Sequence, residues 1–257
     1  MLHQPTLDLL HELRLPGMAQ AFEEQHGLPD IDELAFDDRL SLLLEREKTD
    51  RGNRRFQRLL GQARLHLDAT VEDLNFKGGR GLDRSVILRL ADCEWVRHGQ
   101  SLLVTGPTGS GKSYLACAFG HQACRHGLAT LYFRTSRLLA QCKLARADGS
   151  YPRLLQRLAR TPLLILDDWG MAALDDAGRH DLLEILDDRY ARRGTLVTSQ
   201  VPVDHWHELV GDPTFGDAIL DRLLHNAHRI TLSGGSMRRL YDSTKEGKAY
   251  SKKTATS

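Results

Sequence analysis

The chain has 257 residues, with 35 lysines and arginines against 34 aspartates and glutamates, and 41% of its residues are hydrophobic. This composition is typical of a soluble globular protein and excludes a wholly disordered chain. The longest aliphatic run, residues 163–166, is far shorter than the ~20 residues of a membrane helix. The first residues lack the basic segment of a secretory signal. We therefore expect a cytoplasmic protein that contacts no membrane, with four reduced cysteines.

Charge is segregated along the chain. Residues 1–50 carry 4 basic and 12 acidic side chains, residues 51–100 carry 10 and 6, and residues 101–150 carry 6 and 1. An acidic N-terminal part is thus followed by a basic middle part. Because nucleic acid is bound largely through its phosphates, the basic part is a candidate for a nucleic-acid contact.

The first quarter of the chain shows helical periodicity and no strand-like run. Apolar residues recur at helical spacing over residues 6–64, with an interruption at Pro16-Gly17. From Ile31 onward the spacing predicts one long helix or two in line. Glycines between residues 65 and 83 indicate a connector, and a helix is predicted from Arg84 to about His98. We therefore expect a helical region at 1–65, followed by a connector and linker helix at 66–98.

After Gly99 short apolar runs alternate with helical patterns. The predicted strands are residues 101–105, 130–133, 163–167, 195–199 and 229–232. Helices are predicted between them, for example at 112–126 and 176–192. Such alternation is typical of a parallel sheet that is covered by helices on both faces. We expect this α/β domain to span residues 99–240 and a polar tail to occupy residues 241–257.

The first predicted strand leads into a phosphate-binding motif. Residues 106–113 fit G-x-x-x-x-G-K-[ST] between a strand and a helix, the context that this motif requires. Glycines let backbone N–H groups surround phosphate oxygens, and the helix adds the positive end of its dipole. Lys112 would reach the β and γ phosphates of ATP, and Ser113 would be a ligand of Mg²⁺. The predicted nucleotide contacts are Gly106, Pro107, Thr108, Gly109, Ser110, Gly111, Lys112 and Ser113.

Two carboxylates follow the third predicted strand. Four aliphatic residues at 163–166 precede Asp167 and Asp168, so both acids emerge where ligands bind in open α/β sheets. We expect Asp167 to take part in the Mg²⁺ shell. Asp168 is placed to orient or deprotonate the water that attacks the γ-phosphate. The alternative for Asp168 is a cap of the next turn.

Two further residues are candidates for contact with the γ-phosphate. Gln200 ends the run Thr-Leu-Val-Thr-Ser-Gln, which brings its amide to the same edge of the sheet. An ordinary strand end is the alternative. Arg222 lies on an otherwise apolar predicted helix, and its guanidinium suits the γ-phosphate of a neighbouring subunit. The alternative for Arg222 is a salt bridge to Asp221 or Asp217.

These elements, in this order, resemble the AAA+ ATPases. Within that class the chain is similar to the IstB-type ATPases, the transposition helper proteins of insertion sequences, and to the related DnaC-type helicase loaders. The resemblance rests on the phosphate motif, on LLILDDWG at 163–170, TLVTSQ at 195–200 and ILDRL at 219–223, and on GGSMR at 234–238.

The resemblance implies a fold and a set of residue roles. It implies a five-stranded parallel sheet in the order 5-1-4-3-2, a small all-α N-terminal domain before it and no C-terminal lid domain. Asp168 stands where many AAA+ proteins have Glu, and Gln200 stands where the sensor-one amide is usually Asn. Arg222 matches the arginine finger, and Arg238 is implied to sense phosphate. The implied partner is a second copy of the chain, arranged head to tail in a ring or helical filament.

A row of basic residues is predicted on one helix of the N-terminal region. No acidic residue lies between Arg51 and Arg64, and four basic residues recur at i, i+3, i+7 and i+10. On a helix they form a stripe that suits phosphate contact without sequence preference. The alternative is a solvated face that pairs with the acidic residues at 23–47. The predicted DNA contacts are Lys48, Arg51, Arg54, Arg55 and Arg58.

Three functional hypotheses are consistent with the sequence. The leading one is an ATPase that assembles on double-stranded DNA and recruits or stimulates its cognate transposase under control of ATP hydrolysis, with ATP and Mg²⁺ as cofactors. The second is a DnaC-type loader that delivers a replicative helicase to single-stranded DNA. The third is a scaffold that binds ATP without hydrolysing it. The joint presence of Lys112, Asp167, Asp168 and Arg222 favours an enzyme over the scaffold.

Overall fold

The computed structural model describes residues 3–29, 31–76 and 81–235. Arg238, the tail at 241–257 and the position of any lid after Arg238 lie outside these residues. The chain divides into two compact units, Met1–Arg58 and Leu59–Ser257. The predicted domain boundaries after residues 65, 98 and 240 stay predictions. Within the described residues no helix is long and apolar enough to span a membrane.

The first unit is helical, as its periodicity predicts. Helices α1 (His3–Glu12) and α2 (Pro16–His26) precede a short 3-10 turn (Ile31–Glu33) and the first part of α3 (Phe36–Ala63). The helix predicted from Ile31 onward therefore begins only at Phe36. Met18, Ala21 and Leu43 form the small core of this unit.

A buried carboxylate closes the N-terminus of α2. Glu47 accepts hydrogen bonds from the backbone N–H groups of Gly17 (2.8 Å) and Met18 (3.2 Å). Only glycine fits at position 17, because a Cβ there would lie 2.9 Å from the Cα of Glu47. Glu47 also accepts from Arg51 Nε (2.6 Å) and Arg54 Nη2 (3.4 Å). Burial alone would raise the pKa of Glu47, but the bonds from Arg51 and the two amides lower it.

The second unit contains the predicted sheet. Its strands are β1 (Ser101–Thr105), β2 (Thr130–Arg134), β3 (Leu163–Trp169), β4 (Gly194–Ser199) and β5 (His228–Thr231). All pairings are parallel, and the order is β2-β3-β4-β1-β5. This is the expected order read from the other edge, so the fold prediction is confirmed. β1 has the predicted bounds, whereas the other four strands differ from theirs by one or two residues at one or both ends.

Alternation along the strands divides the apolar residues between two cores. Leu163 and Ile165 of β3 lie in one cluster, whereas Leu164 and Leu166 lie in the other. Successive side chains of a strand point to opposite faces of a sheet, so both faces are buried. Helices α4 (Arg84–Ala91), α5 (Glu94–Arg97) and α6 (Lys112–Arg125) contribute to the first core, and α7 (Thr135–Asp148), α8 (Tyr151–Arg160), α9 (Asp176–Arg189), α10 (Trp206–Val210) and α11 (Pro213–Leu224) contribute to the second.

The linker helix predicted at 84–98 is two helices. Cys93 has a φ of 58°, a left-handed conformation that ends α4 and starts α5. Trp95 is buried in the first core, and its Nε1 donates to the carbonyl oxygen of Leu90 at 3.0 Å. The left-handed residue Cys93 interrupts the helix, which helical periodicity alone does not predict. Cys93 and the other three cysteines are free and buried, as predicted.

Candidate nucleotide site

The phosphate motif forms the loop between β1 and α6. Gly106, Gly109 and Gly111 have φ values of 149°, 80° and 101°, a region that favours glycine. A Cβ at Gly106 would also lie 2.4 Å from the carbonyl oxygen of Leu232. The amide of Gly106 donates to the carbonyl oxygen of Ser199 at 3.2 Å, which joins the start of the loop to the end of β4. The loop therefore begins where three strand ends meet.

Two side chains of the loop are suited to an anion. The ammonium group of Lys112 is largely buried and donates to the carbonyl oxygens of Gly106 (2.8 Å) and Pro107 (3.0 Å). Burial lowers the pKa of Lys112, and the carboxylates of Asp168 and Asp167 oppose that shift. The buried hydroxyl of Ser110 has no hydrogen-bond partner among the described residues. A phosphate oxygen would satisfy such groups at the start of a helix, so the loop fits a nucleotide.

Asp167 is the buried charge at the centre of the site. Its side chain is 1% exposed, and one oxygen accepts from Ser113 Oγ at 3.0 Å and from the hydroxyl of Thr198. The other oxygen accepts from the hydroxyl of Tyr132. Burial and this bond raise the pKa of Tyr132, which stays a donor. The hydroxyl of Ser113 and the carboxylate of Asp167 are adjacent oxygen ligands of the kind that Mg²⁺ prefers.

Asp167 and Asp168 form a β-bulge. Leu166 pairs with Val197 and Trp169 pairs with Ser199, so two residues of β3 face the single residue Thr198. Asp168 takes up the extra length with a φ of 58°. Its backbone N–H, which the bulge removes from the ladder, donates to Thr198 Oγ1 at 3.1 Å. The carboxylate is about one-third exposed and lies 3.8 Å from Arg134 Nε. Asp168 is thus accessible, while Asp167 is enclosed.

Four residues of this network carry no assigned role in the sequence interpretation. Thr198 contacts both acids, while Tyr132 and Arg134, two residues apart on β2, contact one acid each. His66 Nε2 lies 3.2 Å from Arg134 Nη2, and the ring of His66 stacks on that of Tyr132. The sequence held one signal that could have identified the two β2 residues, since β2 and β3 are parallel neighbours in the implied strand order. That order places the end of β2 beside the two carboxylates.

The structure places Gln200 against the phosphate loop. Gln200 immediately follows β4, and its amide oxygen accepts from Thr108 Oγ1 at 2.5 Å. Among the predicted site residues, the loop, Asp167, Asp168 and Gln200 are therefore brought together by β1, β3 and β4. Trp169, after the acids, is buried and packs on Trp206.

Arg222 lies apart from this group, on α11. Its Nε donates to Asp187 Oδ1 of α9 at 3.0 Å, and its Nη1 lies 3.7 Å from Asp221 Oδ2. It lines a surface groove of about 670 Å³ with residues of α7 and α9. A salt bridge to Asp221, the alternative from the sequence, is present together with the unforeseen partner Asp187. The role of Arg222 toward a neighbouring subunit stays a prediction.

The predicted DNA contacts all lie on the exposed surface of α3. Lys48, Arg54, Arg55 and Arg58 are exposed, as is Arg51. Arg51 and Arg54 both pair with the buried carboxylate of Glu47. A second basic row is exposed on α8, where Arg153, Arg157 and Arg160 lie on the face opposite its buried leucines.

The strand order and the phosphate loop are those of the P-loop AAA+ fold. The solved structure of the DnaC helicase loader superposes on this chain with a TM-score of 0.56 at 21% sequence identity. The match covers 64% of this chain and 96% of the DnaC chain. The IstB-like ATP binding protein family matches residues 8–245, and the chain belongs to this family.

Curated relatives agree with the family. An insertion sequence ATP-binding protein of Sinorhizobium fredii (strain NBRC 101917 / NGR234) is 51% identical over 93% of this chain and 98% of its own length. The ATP-binding protein of insertion sequence IS1162 from Pseudomonas fluorescens is 54% identical over 79% of this chain and 88% of its own length.

Proposed function

We propose that this protein is the ATP-hydrolysing helper of an insertion sequence. It assembles head to tail on duplex DNA, recruits or stimulates the transposase of that element, and is controlled by hydrolysis of ATP. The observation that carries the proposal is the meeting of Lys112, Ser113, Asp167 and Asp168 at one edge of the sheet. The insertion-sequence names of relatives at 51% and 54% identity favour a transposase over a replicative helicase as partner.

The site binds ATP with Mg²⁺ in this proposal. Lys112, the unpartnered hydroxyl of Ser110 and the backbone amides at the start of α6 hold the phosphates, since the N-terminus of a helix favours phosphate. Ser113 and Asp167 hold Mg²⁺, which neutralises phosphate charge when it is bound. Thr198 and Tyr132 keep the Asp167 carboxylate in place by donating to its two oxygens. Arg238 remains a proposed phosphate sensor outside the described residues.

Asp168 acts as the general base in this proposal. The bulge gives it a left-handed backbone, and the bond from its amide to Thr198 fixes that backbone. Asp168 is the next residue after the enclosed Asp167, yet its carboxylate is accessible to water. A base must reach the proton that it abstracts, and the accessible acid of the pair meets that requirement.

The first prediction separates an enzyme from a scaffold. Asp168→Asn should bind ATP as the wild type does but lower its turnover by roughly 10²–10⁴-fold, because it removes a positioned base. Lys112→Ala should abolish ATP binding. ATP affinity is measured with a fluorescent analogue and turnover by phosphate release, with Asp204→Asn, an exposed carboxylate outside the site, as the control. Unchanged turnover in Asp168→Asn would show that Asp168 is not the base.

Arg222 completes the site of a neighbouring subunit in this proposal. Its guanidinium lines the groove between α11 and α9. The phosphate loop of the same chain lies elsewhere, at the ends of β1 and β4. Two carboxylates balance its charge in the single chain. A head-to-tail interface that joins these two different surfaces generates rings or helical filaments.

The second prediction tests a site shared between subunits. A 1:1 mixture of Arg222→Ala and Lys112→Ala proteins should recover ATPase activity, to about one quarter of the wild-type rate under random pairing, because that share of interfaces combines two intact halves. Each variant alone should be nearly inactive, and Arg222→Ala should bind ATP normally. In the control mixture, Arg193→Ala replaces Arg222→Ala. Arg193 is exposed and lies outside both the Arg222 groove and the phosphate loop. Failure of the mixture to gain activity over its components would argue against catalysis in trans.

Duplex DNA contacts the basic stripe of α3 in this proposal. Its members are exposed on one helix without an acidic residue between Arg51 and Arg64. Glu47 holds Arg51 and Arg54 in fixed positions and neutralises part of their charge. Contacts of this kind read phosphates and not bases, so binding is expected on unrelated sequences alike.

The third prediction measures that contact. Arg51→Ala with Arg55→Ala should weaken duplex binding on unrelated sequences and flatten the slope of log affinity against log salt by about two units, since each lost phosphate contact removes close to one. ATP binding should be unchanged. The matched control is Arg153→Ala with Arg157→Ala, which removes equal charge from the exposed row of α8. If only the α8 variant changes the slope, the DNA surface lies on the second unit instead.

A further inference from the structure

A hydroxyl of the phosphate loop holds the amide of Gln200. Thr108, the third residue of the motif, donates from Oγ1 to Gln200 Oε1 at 2.5 Å, across 92 positions of sequence. The two segments are also joined at the backbone, where the amide of Gly106 donates to the carbonyl oxygen of Ser199. The loop and the end of β4 are therefore coupled through both backbone and side chains.

The direction of this bond decides which end of the amide is engaged. A threonine hydroxyl can donate to the amide oxygen, and a carboxamide has one acceptor end and one end with two donors. The acceptor end of Gln200 is bonded to Thr108, and its NH₂ group makes no hydrogen bond within the described residues. The donor end is the one that stays available beside the loop.

We propose that Thr108 is a positioning residue, which orients Gln200 so that its NH₂ group donates to the γ-phosphate or to the attacking water. The inference rests on the proposed function, because it assigns Thr108 and the donor end of Gln200 to that reaction. It also accounts for glutamine at a position where the resemblance implies asparagine. Shortening the side chain by one methylene withdraws the oxygen by roughly 1.5 Å, and the contact with Thr108 is lost.

Substitutions at both residues test the proposal in the full-length protein. Thr108→Val keeps the shape but removes the donor, so kcat should fall about 2- to 10-fold, the loss expected for one hydrogen bond. KM and the affinity for a fluorescent ATP analogue should change little. Thr108→Ser restores the hydroxyl and should recover most of the rate. Thr214→Val is the matched control, because Thr214 is exposed on α11 outside the site.

Variants of Gln200 show whether Thr108 acts through it. Gln200→Ala should lower kcat at least as much as Thr108→Val, and the double variant should be no slower than Gln200→Ala alone, since the bond is already lost. Gln200→Glu keeps an acceptor for Thr108 but loses both donors, so it should be as slow as Gln200→Ala. Gln200→Asn should be slow because it cannot reach Thr108.

Each other outcome overturns the inference. Weaker ATP binding with unchanged kcat in Thr108→Val would show that the Thr108 hydroxyl contacts the nucleotide directly and does not position Gln200. Additive losses in the double variant would show that Thr108 acts independently of Gln200. Full turnover in Gln200→Glu would assign the function to the acceptor end. A normal rate in Gln200→Ala, with Asp168→Asn inactive, would remove Gln200 from the reaction and leave the proposed function standing, whereas absence of turnover in the wild type would remove both.

Discussion

The buried carboxylate of Asp167 is the constraint on which the arrangement of the site depends. A charge that is 1% exposed is costly unless polar groups compensate it. Here three hydroxyl groups do so, from Ser113 on α6, Tyr132 on β2 and Thr198 on β4. Each donor comes from a different element, so satisfying this one charge fixes the phosphate-loop helix and both neighbours of β3 relative to each other. The same acceptor oxygens lie beside the loop, where the proposed Mg²⁺ would accompany the phosphates.

The bulge after Leu166 gives the two adjacent acids different environments. In a regular strand, Asp167 and Asp168 would point to opposite faces of the sheet. The inserted residue instead gives Asp168 a left-handed backbone, and Thr198 takes up the amide that the bulge frees. The hydroxyl of Thr198 thus donates to the carboxylate of the enclosed Asp167 and accepts from the backbone amide of the accessible Asp168. The difference in exposure is consistent with the proposed roles of Asp167 in holding Mg²⁺ and of Asp168 in activating water.

Much of the fold could be predicted because its signals are local. Strand alternation, the glycine-rich motif and the aliphatic run before Asp167 are each contained in a few residues, and the strand order follows from the resemblance that they support. The predictions for 84–98 and from Ile31 onward were wrong in detail, since burial of Trp95 and the 3-10 turn at Ile31–Glu33 override periodicity. The roles of Tyr132, Thr198 and Thr108 depend on bonds between distant segments, and no local pattern reports them. The pairing of Arg51 with Glu47 was foreseeable only as one alternative, because i, i+4 spacing permits it without requiring it.

The most direct test of this account is the dependence of ATP affinity on Mg²⁺ in Asp167→Asn. Asparagine keeps the size of the side chain and an acceptor oxygen for the surrounding hydroxyls, but it lacks the charge that would hold the cation. ATP binding is measured by calorimetry with Mg²⁺ and with EDTA, after circular dichroism confirms that the variant is folded. The account predicts that Mg²⁺ strengthens ATP binding to the wild type by about tenfold or more, equivalent to ~1.4 kcal/mol, and that this gain disappears in Asp167→Asn. An equal gain in both proteins would contradict the central role of Asp167.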